Sequence, residues 1–140
     1  MKKITALLLA LMLSFTLLFV ASCDEVPAED LWEEATYRDD AELGEGNTHF
    51  TLIVKADEQS VSFSVNTDKK TVGDALVDLG LLEGENGQYG LYVKKVNGIL
   101  ADYGVDQTYW AFYINGEYAM TGVDTTEVVN GATYTLSREK

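Results

Sequence analysis

The feature that most constrains the fold is a single amphipathic helix, which lies between segments whose apolar and polar residues alternate as in β-strands. Thr71 is followed three residues later by Asp74, a pair that resembles a capping box with the shorter acid. The apolar residues after this cap fall on one helical stripe, which comprises Val72, Ala75, Leu76, Leu79 and Leu82. One helix can cover only one face of a sheet, so apolar residues on the other face need a separate explanation.

Strands are predicted on both sides of this helix from period-two alternation and from turn residues. Residues 49–55 and residues 60–66 alternate apolar with polar side chains, and the polar residues 56–59 join them. GENG at residues 84–87 is predicted as a loop that releases the chain into further strands. Three Asn-Gly pairs mark turns: Asn97-Gly98, Asn115-Gly116 and Asn130-Gly131. Two strands, one helix and a run of strands is the order of a β-grasp. The sequence therefore predicts an α+β fold with a mixed sheet and one helix packed on one face.

The segment YWAFYI, which begins at Tyr109, is apolar on both of its faces. Trp110, Phe112 and Ile114 are predicted to face the helix, because they are the more aliphatic set. Tyr109 and Tyr113 then face outward, where two interpretations stay open. The tyrosines form either an exposed aromatic patch that binds a ligand, or a small second cluster with its hydroxyl groups in water.

The N-terminus resembles the signal peptide of a bacterial lipoprotein. A basic start is followed by residues 4–21, which are almost wholly apolar, and the small residues Ala21 and Ser22 directly precede Cys23. We therefore expect residues 1–22 to be removed by cleavage between Ser22 and Cys23, and the thiol of Cys23 to carry the lipid. An ordinary secretory signal and an uncleaved anchor helix are the alternatives, and all of them export the chain. The lipobox predicts an extracytoplasmic protein, lipid-anchored to the bacterial cell membrane.

The distribution of acidic residues divides the exported part of the chain into an acidic N-terminal segment and a folded domain. Residues 24–47 hold ten acidic residues against Arg38 alone and have few large apolar side chains, so residues 23–47 are predicted to be an acidic disordered tether. Residues 48–140 are predicted to form the folded domain. The formal net charge of -13 argues against nucleic acid as a partner, since phosphates require a basic patch. A short helix with a docking motif is the alternative for the acidic segment, and it would present Leu31, Trp32, Ala35 and Arg38.

Catalytic and metal-binding groups are sparse. The chain has one histidine, His49, and its one cysteine is Cys23, so the exported domain offers neither a cysteine nucleophile nor a thiolate metal site. No acidic segment has the spacing of a calcium loop. The paired acids fall in predicted turns, at Asp57-Glu58 and Asp102-Asp106. The sequence therefore predicts a protein that is not an enzyme and that has neither a metal site nor a cofactor.

Three motifs resemble the C-terminal domain of the transcobalamin and intrinsic-factor proteins, and especially that of their bacterial, transcobalamin-like lipoprotein relatives. These motifs are TVGDAL in the helix, the Tyr109-Trp110 pair, and MTGVDTTEVVNGATYTL, which runs into the last strand. The resemblance covers residues 48–140. In the animal proteins this domain closes as a lid over one face of cobalamin, while a separate helical barrel holds the other face. The present sequence predicts no such barrel.

The resemblance also implies where a ligand would bind. The loop after the second Asn-Gly hairpin matches the part of the lid that contacts ligand, and Trp110 matches its structural tryptophan. With the tyrosines of the same strand added, the predicted ligand-binding residues are Tyr109, Trp110, Tyr113, Tyr118, Met120, Thr121, Gly122 and Val123.

Two functions are compatible with the sequence. The chain is expected to be a membrane-anchored binding lipoprotein that presents cobalamin, another corrinoid or another flat, partly apolar ligand to an uptake transporter. The alternative is a cell-surface module that binds a protein or a cell-wall glycan and takes no small molecule. Aromatic rings stack on a sugar face as well as on a corrin edge, so composition does not separate the two.

Overall fold

Two β-sheets and two short α-helices make up residues 30–140, the part of the chain that this computed structural model describes. Residues Leu31–Lys140 form one compact unit. The predicted signal peptide, its cleavage at Ser22-Cys23 and the lipid on Cys23 lie outside the described residues. Within residues 30–140, no helix is long and apolar enough to span a bilayer.

The described residues contain nine strands, which form a larger and a smaller sheet. In chain order, the strands are β1 (Ala41–Leu43), β2 (Thr48–Ala56), β3 (Gln59–Thr67), β4 (Leu82–Gly87), β5 (Gly90–Val96), β6 (Ile99–Leu100), β7 (Tyr109–Ile114), β8 (Glu117–Tyr118) and β9 (Thr133–Glu139). The helices are α1 (Val72–Asp78) and α2 (Tyr103–Asp106), and a 3-10 turn occupies Leu31–Glu33.

The larger sheet has the order β1-β3-β2-β9-β7-β8, and the smaller sheet has the order β4-β5-β6. In the larger sheet, β1 is parallel to β3 and β9 is parallel to β2, whereas the other neighbours are antiparallel. The prediction of an α+β fold with a mixed sheet is therefore confirmed. The second helix, α2, is a single turn that the sequence does not predict.

Local sequence signals correctly predict several element boundaries. Thr71 Oγ1 accepts a hydrogen bond from the N–H of Asp74 at 3.2 Å, which forms the predicted N-cap of α1. Asn115 and Gly116 have φ values of 49° and 86° and join β7 to β8, because a type I′ turn needs two residues in this left-handed region. The Asn-Gly pair at residues 97–98 joins β5 to β6 in the same conformation.

α1 ends before the predicted apolar stripe does. Gly80 adopts a φ of 70° directly after the helix, and the N–H of Leu81 donates to the carbonyl of Leu76 at 2.9 Å. This left-handed glycine and its returning hydrogen bond turn the chain out of the helical path. Leu82 is therefore buried as the first residue of β4 and not as part of the helix.

β7 presents the predicted face to the core. Trp110 and Phe112 are buried in the same apolar cluster as the inner residues of α1, and Ile114 packs against it. Phe112 stacks on Tyr134 of β9, with the ring centroids 6.0 Å apart. Tyr113 lies on the opposite face of the strand and is half-buried. The sequence-based choice between the two faces is confirmed.

Residues 31–43 are folded against the domain, so the prediction of a disordered tether up to residue 47 is wrong for this segment. Trp32 is 4% exposed, and its Nε1–H donates to the carbonyl of Ala56 at 3.0 Å. The ring of Tyr37 meets the ring of Phe63 edge-on at 5.5 Å, and β1 extends the sheet beside β3. The charge count treats the segment alone, whereas its few apolar residues are buried or partly buried against the core of the domain. The alternative prediction, a short helix that docks on a partner through Trp32, does not fit either, because Trp32 is buried within this domain.

Candidate functional site

The segment between β8 and β9, residues 119–132, is held against the N-terminus of α1. The N–H of Gly73 donates to the carbonyl of Val123 at 2.8 Å, and the N–H of Val72 donates to the carbonyl of Thr126 at 2.9 Å. The first N–H groups of a helix have no acceptor within the helix, so the carbonyl groups of this segment satisfy them. A long connection is thereby fixed in position, which is a requirement for a binding loop.

Asp124 fastens the same segment to the smaller sheet, and the sequence gives no sign of this role. Its Oδ2 accepts a hydrogen bond from the N–H of Leu91 at 3.2 Å. A Cβ at Gly90 would lie 2.9 Å from Oδ2, and a Cβ at Gly122 would lie 2.8 Å from Oδ1. The two glycines therefore make room for the carboxylate. The group that lies close to Gly122 is therefore the carboxylate of Asp124 in the same chain.

An apolar cleft of about 170 Å³ opens between β5 and β7, beside this segment. We call it the Trp110 cleft. It is lined mainly by Leu91, Val93, Trp110, Phe112, Val123 and Leu136. Tyr92, Tyr109 and Gly122 complete its lining. Of the predicted ligand-binding residues, the cleft brings together Tyr109, Trp110, Gly122 and Val123.

The outer face of the larger sheet carries a second aromatic group. Tyr113 and Tyr118 pack edge-on with ring centroids 5.6 Å apart, and the hydroxyl of Tyr113 donates to Glu139 Oε2 at 2.8 Å. This hydrogen bond is the main reason why the pKa of Tyr113 is raised above its ordinary value. A groove of about 250 Å³ runs beside the pair, lined by Lys55, Tyr113, Gly116, Thr135, Ser137 and Glu139. The groove therefore combines an aromatic wall with hydroxyl groups and both signs of charge.

The eight predicted binding residues do not form one surface. Trp110 and Val123 are buried in the core, with 7% and 2% of their surfaces exposed. Trp110 and Tyr113 lie on opposite faces of β7, so one rigid ligand cannot contact both from the same side. The exposed members are Tyr118, Met120, Thr121 and Gly122, which we call the exposed ridge. Met120 at its centre is 94% exposed.

Asp102, Asp106 and Arg138 make hydrogen bonds and an ion pair that support the fold. Asp102 caps α2 by accepting from the N–H of Gly104 at 2.9 Å. Asp106 binds Arg138 at 2.8 Å and accepts a short hydrogen bond from the hydroxyl of Thr108. The bond from Thr108 is the largest contribution that lowers the pKa of Asp106 below its ordinary value. Within residues 30–140, no group of three or more histidine, cysteine or acidic side chains is arranged to hold a metal ion.

Comparison with known proteins identifies relatives of this domain. Residues 69–137 match a domain of unknown function, DUF4430. The crystal structure of a Ruminococcus gnavus ATCC 29149 protein, provisionally described as metal-binding and determined at 1.30 Å resolution, shares 32% sequence identity with this chain at a TM-score of 0.63. The match covers 67% of this chain and 98% of that one. The chain belongs to the family of this protein. A search among curated proteins finds no match.

A resemblance of fold also links the DUF4430 domain to haptocorrin. The crystal structure of haptocorrin in complex with Cbi matches at a TM-score of 0.51 and 20% sequence identity. The match covers 66% of this chain and 25% of the haptocorrin chain, so this chain spans about a quarter of that protein. At this identity the likeness shows the fold alone. The similarity to the transcobalamin family is therefore confirmed at the level of the fold.

Proposed function

We propose that the chain is an extracytoplasmic binding protein, anchored to the membrane by lipid, whose ligand contacts the exposed ridge. The observation that carries this proposal is the exposure of Met120 on a segment that hydrogen bonds fix to α1. Exposed apolar side chains that lie next to one another on a rigid support mark a contact surface. Tyr118, 60% exposed, adds an aromatic ring to the same ridge.

A flat, partly apolar ligand suits this surface, and a corrinoid is the first candidate. Support comes from the fold shared with haptocorrin, which was crystallised in complex with Cbi. The ridge can cover only one side of such a ligand. A lone shallow surface recovers little of the cost of association, so high affinity requires a second surface. A membrane uptake transporter that receives the ligand is the partner we propose for the other side.

The architecture that presents the ridge is, in this proposal, a variant of the β-grasp. The β-grasp assignment is supported by the central parallel pair of β2 and β9, which is flanked by β3 on one side and by β7 on the other. The chain passes from the β2–β3 hairpin through α1 before it returns to the sheet, as the β-grasp order requires. The small sheet β4-β5-β6 is an addition to that plan.

The membrane anchor of the proposal rests on the sequence around Cys23. Cys23→Ala should leave an unprocessed precursor that takes up no labelled fatty acid, because the thiol is both the lipid acceptor and the new N-terminus. The measurement is metabolic labelling followed by gel mobility, with Ser22→Ala as the control, since alanine keeps the small residue before the cysteine. Cleaved, lipid-labelled protein from the Cys23→Ala variant would refute the lipobox interpretation.

Met120→Asp tests the ridge. The added carboxylate should abolish ligand binding, because docking would bury an unpaired charge. The melting temperature should stay close to that of the unchanged chain, since Met120 has almost no protein contacts to lose. The assay is a thermal-shift titration with cobalamin and cobinamide, in which a ligand at one hundred times its dissociation constant adds about 2.7 kcal/mol of stability.

Val129→Asp is the matched control for this experiment. Val129 is also an exposed apolar residue of the 119–132 segment, but it lies outside the ridge. The control variant should keep the thermal shift that Met120→Asp loses. Equal responses of the two variants to the ligand would contradict the ridge as the binding surface, and so would a large loss of stability in Met120→Asp alone.

A second function is favoured by the groove beside Tyr113. Its aromatic wall, its Thr135 and Ser137 hydroxyl groups and its Lys55–Glu139 charges match the faces and hydroxyl groups of a sugar. In this alternative the chain is a cell-surface module that binds a glycan or a protein. Tyr113→Ala would then weaken retention on purified cell-wall glycan, whereas Met120→Asp would leave it unchanged. In both functions the role that we propose is binding without catalysis.

A further inference from the structure

β4 is an outer strand of the smaller sheet, and part of its backbone faces away from β5. Opposite residues in an antiparallel pair alternate between those that exchange hydrogen bonds and those whose N–H and C=O groups point outward. Leu91 is of the second kind, because its N–H donates to Asp124 and not to β4. Its partner across the sheet is Asn86, so the N–H and C=O groups of Asn86 point to the open edge of β4. Gly84, two residues earlier in the same register, points the same way.

This edge of β4 has no partner strand within residues 30–140, where β5 is the one strand that pairs with β4. Residues 83–87 are exposed to solvent. The register with β5 shifts between Glu83 and Gly84, so residues 84–87 make up the regular part of the edge. An unpaired edge is a template on which an extended peptide can add as a further strand. The length of the regular part suits a short segment of another chain.

A groove of about 420 Å³ lies between α1 and the smaller sheet, and we call it the α1–β4 groove. Gly84 and Asn86 both line it, so the groove reaches the part of β4 whose backbone points to the open edge. Val77, Leu82 and Leu91 form its apolar part, and Val77 is 52% exposed. Every second side chain of a strand added to β4 would lie on the groove side of the sheet. Apolar side chains at these alternate positions would therefore cover Val77.

The charge of the groove indicates the charge of its partner. The charged residues of the lining are all acidic, namely Asp74, Glu83 and Asp124. Glu83 has Lys95 at 3.9 Å, but Lys95 is not part of the lining. The formal net charge of the whole chain, -13, has the same sign. A basic segment is therefore attracted to this site, and an acidic segment is repelled.

We propose that the edge of β4 is a docking site for an extended, basic segment of another protein, which adds to the smaller sheet as a further strand and places apolar side chains in the α1–β4 groove. Main-chain hydrogen bonds supply the affinity of such an addition, and the alternate side chains supply its specificity. The site lies on the smaller sheet, whereas the proposed function uses the exposed ridge. The inference does not require the ridge to bind a corrinoid.

The first test uses a short, fluorescein-labelled peptide in which lysine and valine alternate. The matched control peptide has glutamate in place of every lysine. Fluorescence anisotropy with the purified chain should show saturable binding of the lysine peptide, because the lining of the groove is acidic. The glutamate peptide should not bind.

Two N-methylated forms of the lysine peptide separate strand addition from charge attraction. In an extended peptide, the N–H groups of the valines point to one side and those of the lysines point to the other. Only one of these sides can pair with β4. Methylation of one set should therefore abolish binding, whereas methylation of the other set should leave it unchanged. Attraction between charges alone would tolerate both methylations.

Amide hydrogen exchange, followed by NMR, locates the bound peptide. Saturating lysine peptide should slow exchange at the N–H of Asn86, because this group then has an acceptor. Exchange at Glu85 should stay unchanged, since Glu85 alternates with Asn86 and already faces β5.

Two variants at one position test the backbone directly. Asn86→Pro removes the outward N–H, and proline is tolerated on an outer strand where this group faces solvent. The variant should bind the lysine peptide about two- to tenfold more weakly, as expected for the loss of one hydrogen bond. Asn86→Ala is the matched control, because it keeps the N–H, and it should retain the affinity of the unchanged chain. If Asn86→Pro fails to fold, the methylated peptides still decide the question.

Several outcomes would refute strand addition of a basic segment. Binding of neither peptide, or equal affinity for both, would exclude a basic partner. Equal responses to the two N-methylated forms, or unchanged exchange at Asn86, would exclude pairing with β4. Slow exchange at Asn86 without peptide, increasing with protein concentration, would assign the edge to a second copy of this chain. Met120→Asp should bind the lysine peptide normally, so failure of the corrinoid titration would count against the ridge alone.

Discussion

Trp32→Ala tests whether residues 31–43 belong to the domain. The indole of Trp32 is almost fully buried, and truncation of a buried aromatic ring to alanine typically costs about 3–5 kcal/mol. The carbonyl of Ala56 also loses the hydrogen bond that it accepts at 3.0 Å. A domain of this kind has a total stability of only about 5–15 kcal/mol, so we expect the loss to be a large fraction of the whole.

Guanidinium unfolding of the purified chain, followed by circular dichroism, measures this effect as a fall in the midpoint at an unchanged slope. Trp32→Phe removes the N–H donor and part of the ring but keeps an aromatic side chain, so it should cost less than Trp32→Ala. Tyr89→Ala is the surface control, since Tyr89 is fully exposed. If Trp32→Ala lies within about 0.5 kcal/mol of the unchanged chain, as a surface substitution does, residues 31–43 are a tether after all.

Two further predictions concern β7 and its neighbours. Phe112→Ala should destabilise the domain by roughly 3–5 kcal/mol, and Tyr113→Ala should cost clearly less, because only Phe112 points into the core. Chemical denaturation of both variants checks this, and the reverse order would invert the two faces. The pKa of Asp106 is lowered in the folded state, so the stability that it contributes is present above its ordinary value of 3.8 and is lost as the pH falls through the folded value. The unchanged chain should therefore lose its advantage over Asp106→Asn on acidification below about pH 4, and a constant difference in melting temperature from pH 7 to pH 2 would contradict this.

The parts of the fold that sequence reasoning recovers are those that depend on near neighbours. The cap of α1 needs only Thr71 and Asp74, and the hairpin between β7 and β8 needs only Asn115 and Gly116. The orientation of β7 follows from alternation, which is a property of the strand itself. In each case the chain within a few residues contains the whole explanation.

The failures depend on partners that are far away in the sequence. GENG at residues 84–87 has the composition of a loop, yet it forms most of β4. A Cβ at Gly84 would lie 2.3 Å from the carbonyl oxygen of Tyr92, so the glycine is required by the neighbouring strand. Trp32 lies in an acidic segment that has the composition of a tether, and its burial depends on residues such as Ala56 that are distant in the sequence.

In the candidate site, too, some features follow from near neighbours in the sequence and others depend on distant residues. Tyr118 and Met120 are predictable candidates, because both lie beside a turn, where exposure is expected. The structural role of Asp124 is not predictable, because it depends on Gly90 and on the N–H of Leu91, more than thirty residues away.

The short strands at the borders of the larger sheet determine how copies of this protein behave toward one another. β1 has three residues and β8 has two, and their acidic Glu42 and Glu117 discourage a further strand from joining. β1 also pairs with Phe63–Val65 at the middle of the nine-residue strand β3, whose residues 60–65 alternate between hydroxyl and apolar side chains. A protease that removed residues 31–47 would uncover this long border, and cleaved copies would then add to one another strand by strand. Proteolytic trimming of the acidic segment should therefore promote aggregation of this protein.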